Sequence, residues 1–207
     1  MADGLIGPAR AGSTAVPELI RCVDELPRVP TVVDLHWSAM VAARGHTTDT
    51  ELLAVLLLSA ARAGADVVPS AERLLADAEP RVWLSLDRSI RRAWDRASDW
   101  SASVADQLSD KPLELVLVAC HPDGRVREAA VDRLVGLSHL FVPPVLALRA
   151  ADWVPEVRDR ARRACARLLE TGRGTAALAP VAKALRYRRD GGWLAARLTG
   201  TGADTPR

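Results

Sequence analysis

The sequence predicts an all-α fold, arranged as an α-solenoid or array of helical hairpins. Ala, Leu and Arg dominate the 207 residues, and all three favour helices. Strands that alternate β-branched or aromatic residues with polar ones are missing, so nothing favours a sheet. The strongest indication is an internal repeat, because residues 112–120 match residues 143–151 when the chain is shifted by 31 positions. A fixed period of this length is typical of stacked helical repeats.

The first half of the chain begins with a tail and continues as short helices. Residues 1–16 are rich in Gly, Ala and Pro, and we expect a flexible tail there. Residues 17–110 are predicted to be helical, as diverged repeats or as an N-terminal cap. A proline opens a short helix over 17–26. The next helix is predicted over 31–44, where apolar residues recur at helical spacing.

Four further helices are predicted before the repeats. A Thr-Asp-Thr-Glu run that begins at Thr48 has the capping-box pattern and precedes a helix over 49–63. That helix is apolar nearly all round, so we expect it to be buried between neighbours. Prolines open the helices predicted over 69–78 and 80–97. Serines interrupt the pattern at 98–101, and a short helix is expected to follow.

Residues 111–198 are predicted to contain two clear repeats and a C-terminal cap. Each unit has an apolar helix, a tight turn at 121–124 or 152–155, and a second, charged helix. The cap is expected from Ala179 to Leu198, opened by Pro180 and preceded by an insertion around residues 171–175, and a flexible tail is expected over 199–207. The expected apolar faces of the second helices are Val126, Ala129, Ala130, Leu134 and Leu137 in the first unit, and Val157, Ala161, Ala164, Cys165 and Leu168 in the second. Neither unit buries both faces alone, so stacking must supply the core.

The two turns share a pattern of a turn followed by Val-Arg-x-x-Ala, within residues 121–130 and 152–161. In this respect the chain resembles the short HEAT-like repeats that are common in bacterial proteins. The resemblance covers about residues 111–170. It implies a right-handed solenoid whose role is macromolecular recognition on a concave surface lined by the second helices, and it implies no particular chemistry.

The resemblance also implies that a turn aspartate and the arginine after the valine bridge adjacent repeats. Arg127 and Arg158 match that arginine. Asp123 and Asp152 are the candidate carboxylates, but they do not align with each other when the repeats are superposed without gaps.

We therefore expect a non-catalytic binding or scaffold module in the cytoplasm, whose partner is most simply another protein. Nucleic acid is the alternative partner, because the charge is uneven. Residues 1–110 hold 11 basic and 16 acidic side chains, whereas residues 111–207 hold 17 basic and 10 acidic ones. A basic half can mark a site for a polyanion. An uneven distribution of solvated charges is the simpler alternative.

The candidate binding residues lie in the second unit. Its second helix carries five arginines, which we call the arginine stripe: Arg158, Arg160, Arg162, Arg163 and Arg167. They would contact phosphates or an acidic protein, or else pair with Glu156 and Asp159 along the helix. Trp153 lies in the turn and is either an exposed interface anchor or packs over the repeat junction.

No sequence pattern indicates a cofactor, a metal or a small-molecule substrate. Cys120 aligns with Ala151 and Cys165 with Leu134, so both are expected to be small buried hydrophobic side chains, in keeping with a reducing compartment. The four histidines show no metal-ligand spacing, and phosphate-loop and nucleophile motifs are missing. The most apolar run is too short to span a bilayer, and the start lacks a signal-peptide pattern.

Tryptophans on helical faces are expected in the core, which applies to Trp37, Trp83 and Trp94. One enzymatic alternative stays open, since certain alkylpurine DNA glycosylases are HEAT-like solenoids of similar length that use Trp and Asp in a basic groove. Trp83 with Asp87, or Trp94 with Asp95, would then be the catalytic pair, although no motif carries that match.

Overall fold

The computed structural model describes residues 29–44, 47–96, 107–172 and 174–200, and those ranges contain helices and no β-strand. The all-α class is therefore confirmed for this part of the chain. A short 3-10 turn spans Ala65–Val67. The α-helices, in order, are α1 (Val32–Ala42), α2 (Thr47–Ala63), α3 (Val68–Ala76), α4 (Pro80–Arg96), α5 (Pro112–Val118), α6 (Gly124–Leu134), α7 (Val142–Arg149), α8 (Pro155–Glu170), α9 (Thr175–Leu185) and α10 (Gly192–Leu198).

Several sequence predictions lie outside the described residues. They are the tail over 1–16, the helix over 17–26, the short helix after the break at 98–101, and most of the tail over 199–207. In the capping-box run, the side chains of Thr48 and Asp49 are likewise outside the described set, whereas Glu51 accepts a hydrogen bond from Arg92 at 2.8 Å. Helix α2 itself begins at Thr47.

Helix α1 buries a different face from the one that its apolar spacing predicted. Thr31 caps the helix in a capping box with Asp34, and Leu35, Ser38 and Ala42 are its buried residues. The predicted apolar face is exposed, and the placement of Trp37 in the core is wrong, since 54% of its surface is accessible. The reason is that α1 contacts α2 and α3 through the Leu35 side, and no other described helix covers the opposite face.

The predicted burial of α2 and of the tryptophans on α4 is confirmed. Between Leu53 and Leu58, every side chain is buried except that of Leu56, which is partly buried. Helix α2 packs against α1, α4 and α5. Trp83 and Trp94 on α4 are both inaccessible to solvent. The indole Nε1 of Trp94 donates a hydrogen bond to the carbonyl oxygen of Leu117 at 3.0 Å, which satisfies its polar atom inside the core.

The repeat region consists of three hairpins, α5 with α6, α7 with α8, and α9 with α10. The second helices of the first two units begin at Gly124 and Pro155, which reproduces the period of 31 residues. The predicted apolar faces are buried in the main, but Ala129 is exposed on the outer side of α6. Second helices contact each other across units, as α6 contacts α8, and α7 contacts α9 in the layer of first helices.

The third hairpin begins earlier than the sequence indicated. Helix α9 starts at Thr175, so Pro180 lies inside it rather than opening it. The close turn before α9 depends on Gly174, whose added Cβ would lie 2.7 Å from backbone and side-chain atoms of Leu168. This turn absorbs the insertion that breaks the repeat period.

Helix α4 joins the two halves of the protein. It packs against α2 on one side and against the first helices α7 and α9 on the other. Contact with two consecutive hairpins brings the polar residues of α4 to the turns of the repeats. Among the described helices, none combines the length and the apolar character that a membrane span requires.

Candidate functional site

Four buried charged side chains link α4 to the two repeat turns, and we call them the buried ion network: Asp87, Arg127, Arg149 and Asp152. Asp87 comes from α4, Arg127 from α6, and Arg149 from the end of α7. Asp152 lies in the turn between α7 and α8. Charges are stable in the interior only when they are paired and hydrogen-bonded. The N-terminal helices and the repeat region can therefore pack together only when these four side chains keep their partners.

Arg127 bridges the first repeat unit to the second. Its Nε and Nη2 donate to the two carboxylate oxygens of Asp152 at 3.0 and 2.8 Å, and its Nη1 donates to the carbonyls of His121 and Pro122 at 2.9 and 2.7 Å. Asp152 also accepts from the backbone N–H of Val154 at 3.0 Å. All three guanidinium nitrogens therefore have hydrogen-bond partners, and two of them hold Asp152 in a bidentate arrangement.

The two candidate carboxylates have different roles. Asp152 bridges the units, as described above, whereas Asp123 accepts from the backbone N–H of Arg125 at 2.8 Å and caps α6. Asp123 is therefore wrong as a bridging carboxylate. The equivalent of Arg127 in the second unit, Arg158, lies 3.8 Å from the carboxylate of Asp190 in the turn before α10.

Arg149 connects the repeats to α4. Its Nη2 contacts Asp87 and its Nη1 donates to Asp152 at 2.9 Å, while its buried Nε has no hydrogen-bond partner among the described residues. Burial alone would lower the pKa of Arg149, but the carboxylate of Asp87 raises it above its ordinary value. Burial likewise raises the pKa of Asp87, and the charges of Arg149 and Arg91 outweigh that effect and lower it. Both groups are ionised at neutral pH.

Cys120 and Cys165 are buried thiols, as the sequence predicted. Burial, together with the negative charge of Asp87, raises the pKa of Cys120 to about 12. Burial raises the pKa of Cys165 to about 12. Since the thiolate is the nucleophilic form of cysteine, these side chains are inert packing groups at neutral pH.

Trp153 covers the buried ion network from the solvent side. The guanidinium carbons of Arg91 and Arg127 lie 4.4 and 4.5 Å from the centre of its ring. Its residue surface is 62% exposed. The tryptophan thus packs over the repeat junction and also presents a large aromatic surface, which are the two roles that its position in the turn left open.

Three residues of the arginine stripe are engaged in contacts with other units. Arg160 donates to Glu128 at 2.7 Å and contacts Asp132, both on α6. Arg162 donates to the carbonyls of Ala150 and Asp190 at 3.1 and 3.3 Å. Arg158 donates to the carbonyl of Asp152 at 3.1 Å and lies 4.0 Å from Asp159. The partners therefore lie mainly outside α8, both in neighbouring units and in the turn of the same unit, and the expected pairing along the helix with Glu156 and Asp159 is reduced to that one long contact.

Arg163 and Arg167 differ from the rest of the stripe. Both are exposed, and within the described part of the chain neither forms an ion pair with a carboxylate. They lie one turn apart on α8. Of the predicted binding residues, the structure leaves these two cations and Trp153 accessible, whereas Arg158 and Arg162 are largely covered.

An apolar groove lies beside Arg167. It is bounded by the loop between α6 and α7, by the end of α8 and by the start of α9, and its volume is about 1040 Å³. The groove exists because α8 extends to Glu170, past residue 165, which is the equivalent of the last residue of α6. Leu140 is its most exposed apolar side chain, at 80%. The lining residues are Val135, Leu137, Ser138, His139, Leu140, Val142, Pro143, Leu146, Ala164, Arg167, Leu168, Thr171 and Ala177.

Two parts of this region escaped the sequence analysis. The pairing of Asp87 with Arg149 was not predicted from the sequence. A signal for Arg149 was present, because a single arginine at the end of an apolar helix needs a buried partner. The groove had no local signal, since its walls come from three separate segments. Among the described residues, no group of three or more His, Cys, Asp or Glu side chains could hold a metal ion.

No protein family, curated protein or solved structure matches this chain.

Proposed function

We propose that the protein is a non-catalytic, HEAT-like binding module that holds an acidic amphipathic helix of another protein in the groove beside Arg167. The fold part of the proposal rests on the repeated geometry of the turns. Second helices begin 31 residues apart, and Arg127 and Arg158 each approach an aspartate in the next turn. Equivalent contacts at equivalent positions are what stacked helical repeats require.

The groove is the observation that carries the proposed function. It combines an exposed apolar floor with cations along one edge, where Arg167 and, one turn earlier, Arg163 lie without carboxylate partners in the described chain. None of the residues that line the groove is acidic. A helix with an apolar face and acidic flanks would cover Leu140 and neutralise these arginines.

The alternative of nucleic-acid binding through the arginine stripe is less well supported. Three of its five guanidiniums donate to carboxylates or carbonyls of the protein itself. Phosphate contacts would have to displace those bonds. The glycosylase alternative is also disfavoured, because Trp83 and Trp94 are buried and Asp87 is committed to Arg149. The side chain of Asp95 lies outside the described set.

Site-specific photocrosslinking in the cells of origin would test the proposal. A photoreactive amino acid placed at Leu140 should crosslink one protein, whose crosslinked segment is an acidic amphipathic helix. The matched control is the same amino acid at Val33, which is also highly exposed, at 74%, but lies on α1. Arg167→Glu should abolish the crosslink at Leu140, because it repels acidic flanks.

Two results would contradict the proposal. Equal crosslinking from positions 140 and 33 would show that only exposure matters. A partner segment that is basic, or whose capture survives Arg167→Glu, would show that the groove does not select its ligand by charge.

The alternative of nucleic-acid binding on the arginine stripe has its own test. Duplex DNA binding with a steep salt dependence, lost in Arg158→Gln and Arg162→Gln, would favour that alternative.

A further inference from the structure

A second accessible surface carries cations and an aromatic ring, and it is distinct from the groove. A shallow hollow of about 520 Å³ lies where the start of α4 meets the end of α9. Arg81 comes from the first turn of α4, whereas Lys183, Arg186 and Tyr187 come from the end of α9 and the turn after it. The other lining residues are Glu79, Pro80, Pro180 and Ala184.

The hollow carries an excess of positive charge. Glu79 is the only acidic residue among the described residues that line it, and it pairs with Arg81 at 2.8 Å. Lys183 and Arg186 form no ion pair with any carboxylate of the described chain, and both are exposed. Arg188 and Arg189 follow in the same turn and are exposed as well. Solvated cations that converge without counter-charges raise the local concentration of anions.

Tyr187 gives the hollow a flat aromatic wall. It is 84% exposed, more than any other large apolar or aromatic side chain of the described chain. The guanidinium carbon of Arg186 lies 4.4 Å from the centre of the ring, so a cation is already stacked on the tyrosine. Nothing in the packing of α9 needs this ring, because the buried face of that helix consists of Leu178, Val181, Ala182 and Leu185.

We infer that this hollow binds a nucleotide unit, with a base stacked on Tyr187 and its phosphate held by Lys183 and Arg186. An exposed ring next to unpaired cations is the combination that single-stranded nucleic acids use, since every base has a π-face and every linkage a charge. An acidic peptide would use the cations but would gain nothing from the ring. The same chemistry is offered by a free nucleotide and by a single strand.

Fluorescence anisotropy with a labelled oligothymidylate of about 12 nucleotides would test this inference at low salt. We expect the double variant Lys183→Gln/Arg186→Gln to weaken binding by about tenfold or more. Its matched control is Arg73→Gln/Arg88→Gln, which removes the same charge from exposed positions on α3 and α4 outside the groove and the hollow, and should change the affinity by less than about twofold. All four side chains are exposed, so neither variant disturbs the core.

The ring is tested separately from the charge. Tyr187→Ala should weaken binding by about tenfold, and Tyr187→Phe should leave it unchanged, because stacking needs the ring and not the hydroxyl. Competition with adenosine monophosphate identifies the source. Displacement of the probe by the mononucleotide indicates a free nucleotide as ligand, and displacement by unlabelled oligonucleotide alone indicates a single strand.

Three outcomes would overturn the inference. They are no binding at low salt, equal weakening by the two double variants, and an unchanged affinity in Tyr187→Ala. Competition by poly-glutamate as efficient as that by the oligonucleotide would also overturn it, and would assign the hollow to an acidic protein. These outcomes are independent of the groove, which Arg167→Glu tests without touching Tyr187.

Discussion

The guanidinium of Arg127 and the carboxylate of Asp152 form a bidentate ion pair that joins α6 to the turn before α8. The two hydrogen bonds measure 3.0 and 2.8 Å, and both side chains are inaccessible to solvent. Asp152 also accepts from Arg149, which in turn contacts Asp87 on α4. One carboxylate therefore holds two repeat units together, and through Arg149 it connects them to the N-terminal half.

Loss of this pair should strongly destabilise the protein. We expect Arg127→Met to lower the free energy of unfolding by about 3–5 kcal/mol, because it leaves Asp152 charged and partly unpaired in the interior. Urea denaturation measures the change. The control is Arg160→Met, which removes another arginine that joins α8 to α6 but from an exposed pair with Glu128 and Asp132. It should have a much smaller effect, since water screens exposed pairs. Equal losses in the two variants would contradict the role assigned to the buried pair.

Trp153 should contribute to stability as well as to the surface. We expect Trp153→Ala to lower the free energy of unfolding by about 1–2 kcal/mol, because it removes the contacts with the guanidinium groups of Arg91 and Arg127. Trp153→Phe should retain part of this stabilisation, since a smaller ring still faces the cations. Thermal unfolding followed by circular dichroism measures both variants. A fully stable Trp153→Ala protein would show that the ring contributes only to the surface.

Stability should fall at alkaline pH because of the two buried thiols. Each has its pKa raised from 9.0 to about 12, so the folded state keeps a proton that the unfolded state releases. This stabilisation is complete below pH 9 and is lost as the pH rises towards 12. Each thiol should lower the free energy of unfolding by on the order of 1 kcal/mol between pH 8 and pH 10. Urea denaturation across that range should show a weaker pH dependence in Cys165→Ala, and an unchanged dependence would contradict the prediction.

The two adjacent glycines at the start of α10, Gly191 at the N-cap and Gly192 as the first helical residue, should differ sharply in their tolerance of substitution. An added Cβ at Gly191 would lie 2.0 Å from the carbonyl oxygen of Leu185, whereas one at Gly192 would meet nothing within 4 Å. We expect Gly191→Ala to destabilise the protein by about 1–3 kcal/mol, because the backbone must move apart. Gly192→Ala should be neutral or slightly stabilising, since alanine favours helices. Thermal unfolding of the two variants measures the contrast, and similar midpoints would refute the tight turn.

The two tryptophans on α4 and the one on α1 show where sequence periodicity was sufficient. Trp83 and Trp94 lie on a helix that is packed on two sides, so their apolar spacing predicted burial correctly. Trp37 has similar spacing, but α1 has a described neighbour only on the side of Leu35. Periodicity identifies which residues share a face, and it does not identify whether another helix covers that face.

The sequence by itself determined the helical class, the period of 31 residues and the two turns that precede α6 and α8. The positions of proline and glycine and the spacing of apolar residues act over a few residues, so they can be recognised in the sequence alone. Only the tertiary structure decided which arginines form ion pairs within the protein and which remain accessible. Arg160 contacts α6 and Arg149 contacts Asp87, 62 residues away in the chain. The groove and the hollow likewise assemble from separate helices, because surfaces available for binding are what remains after distant segments have packed.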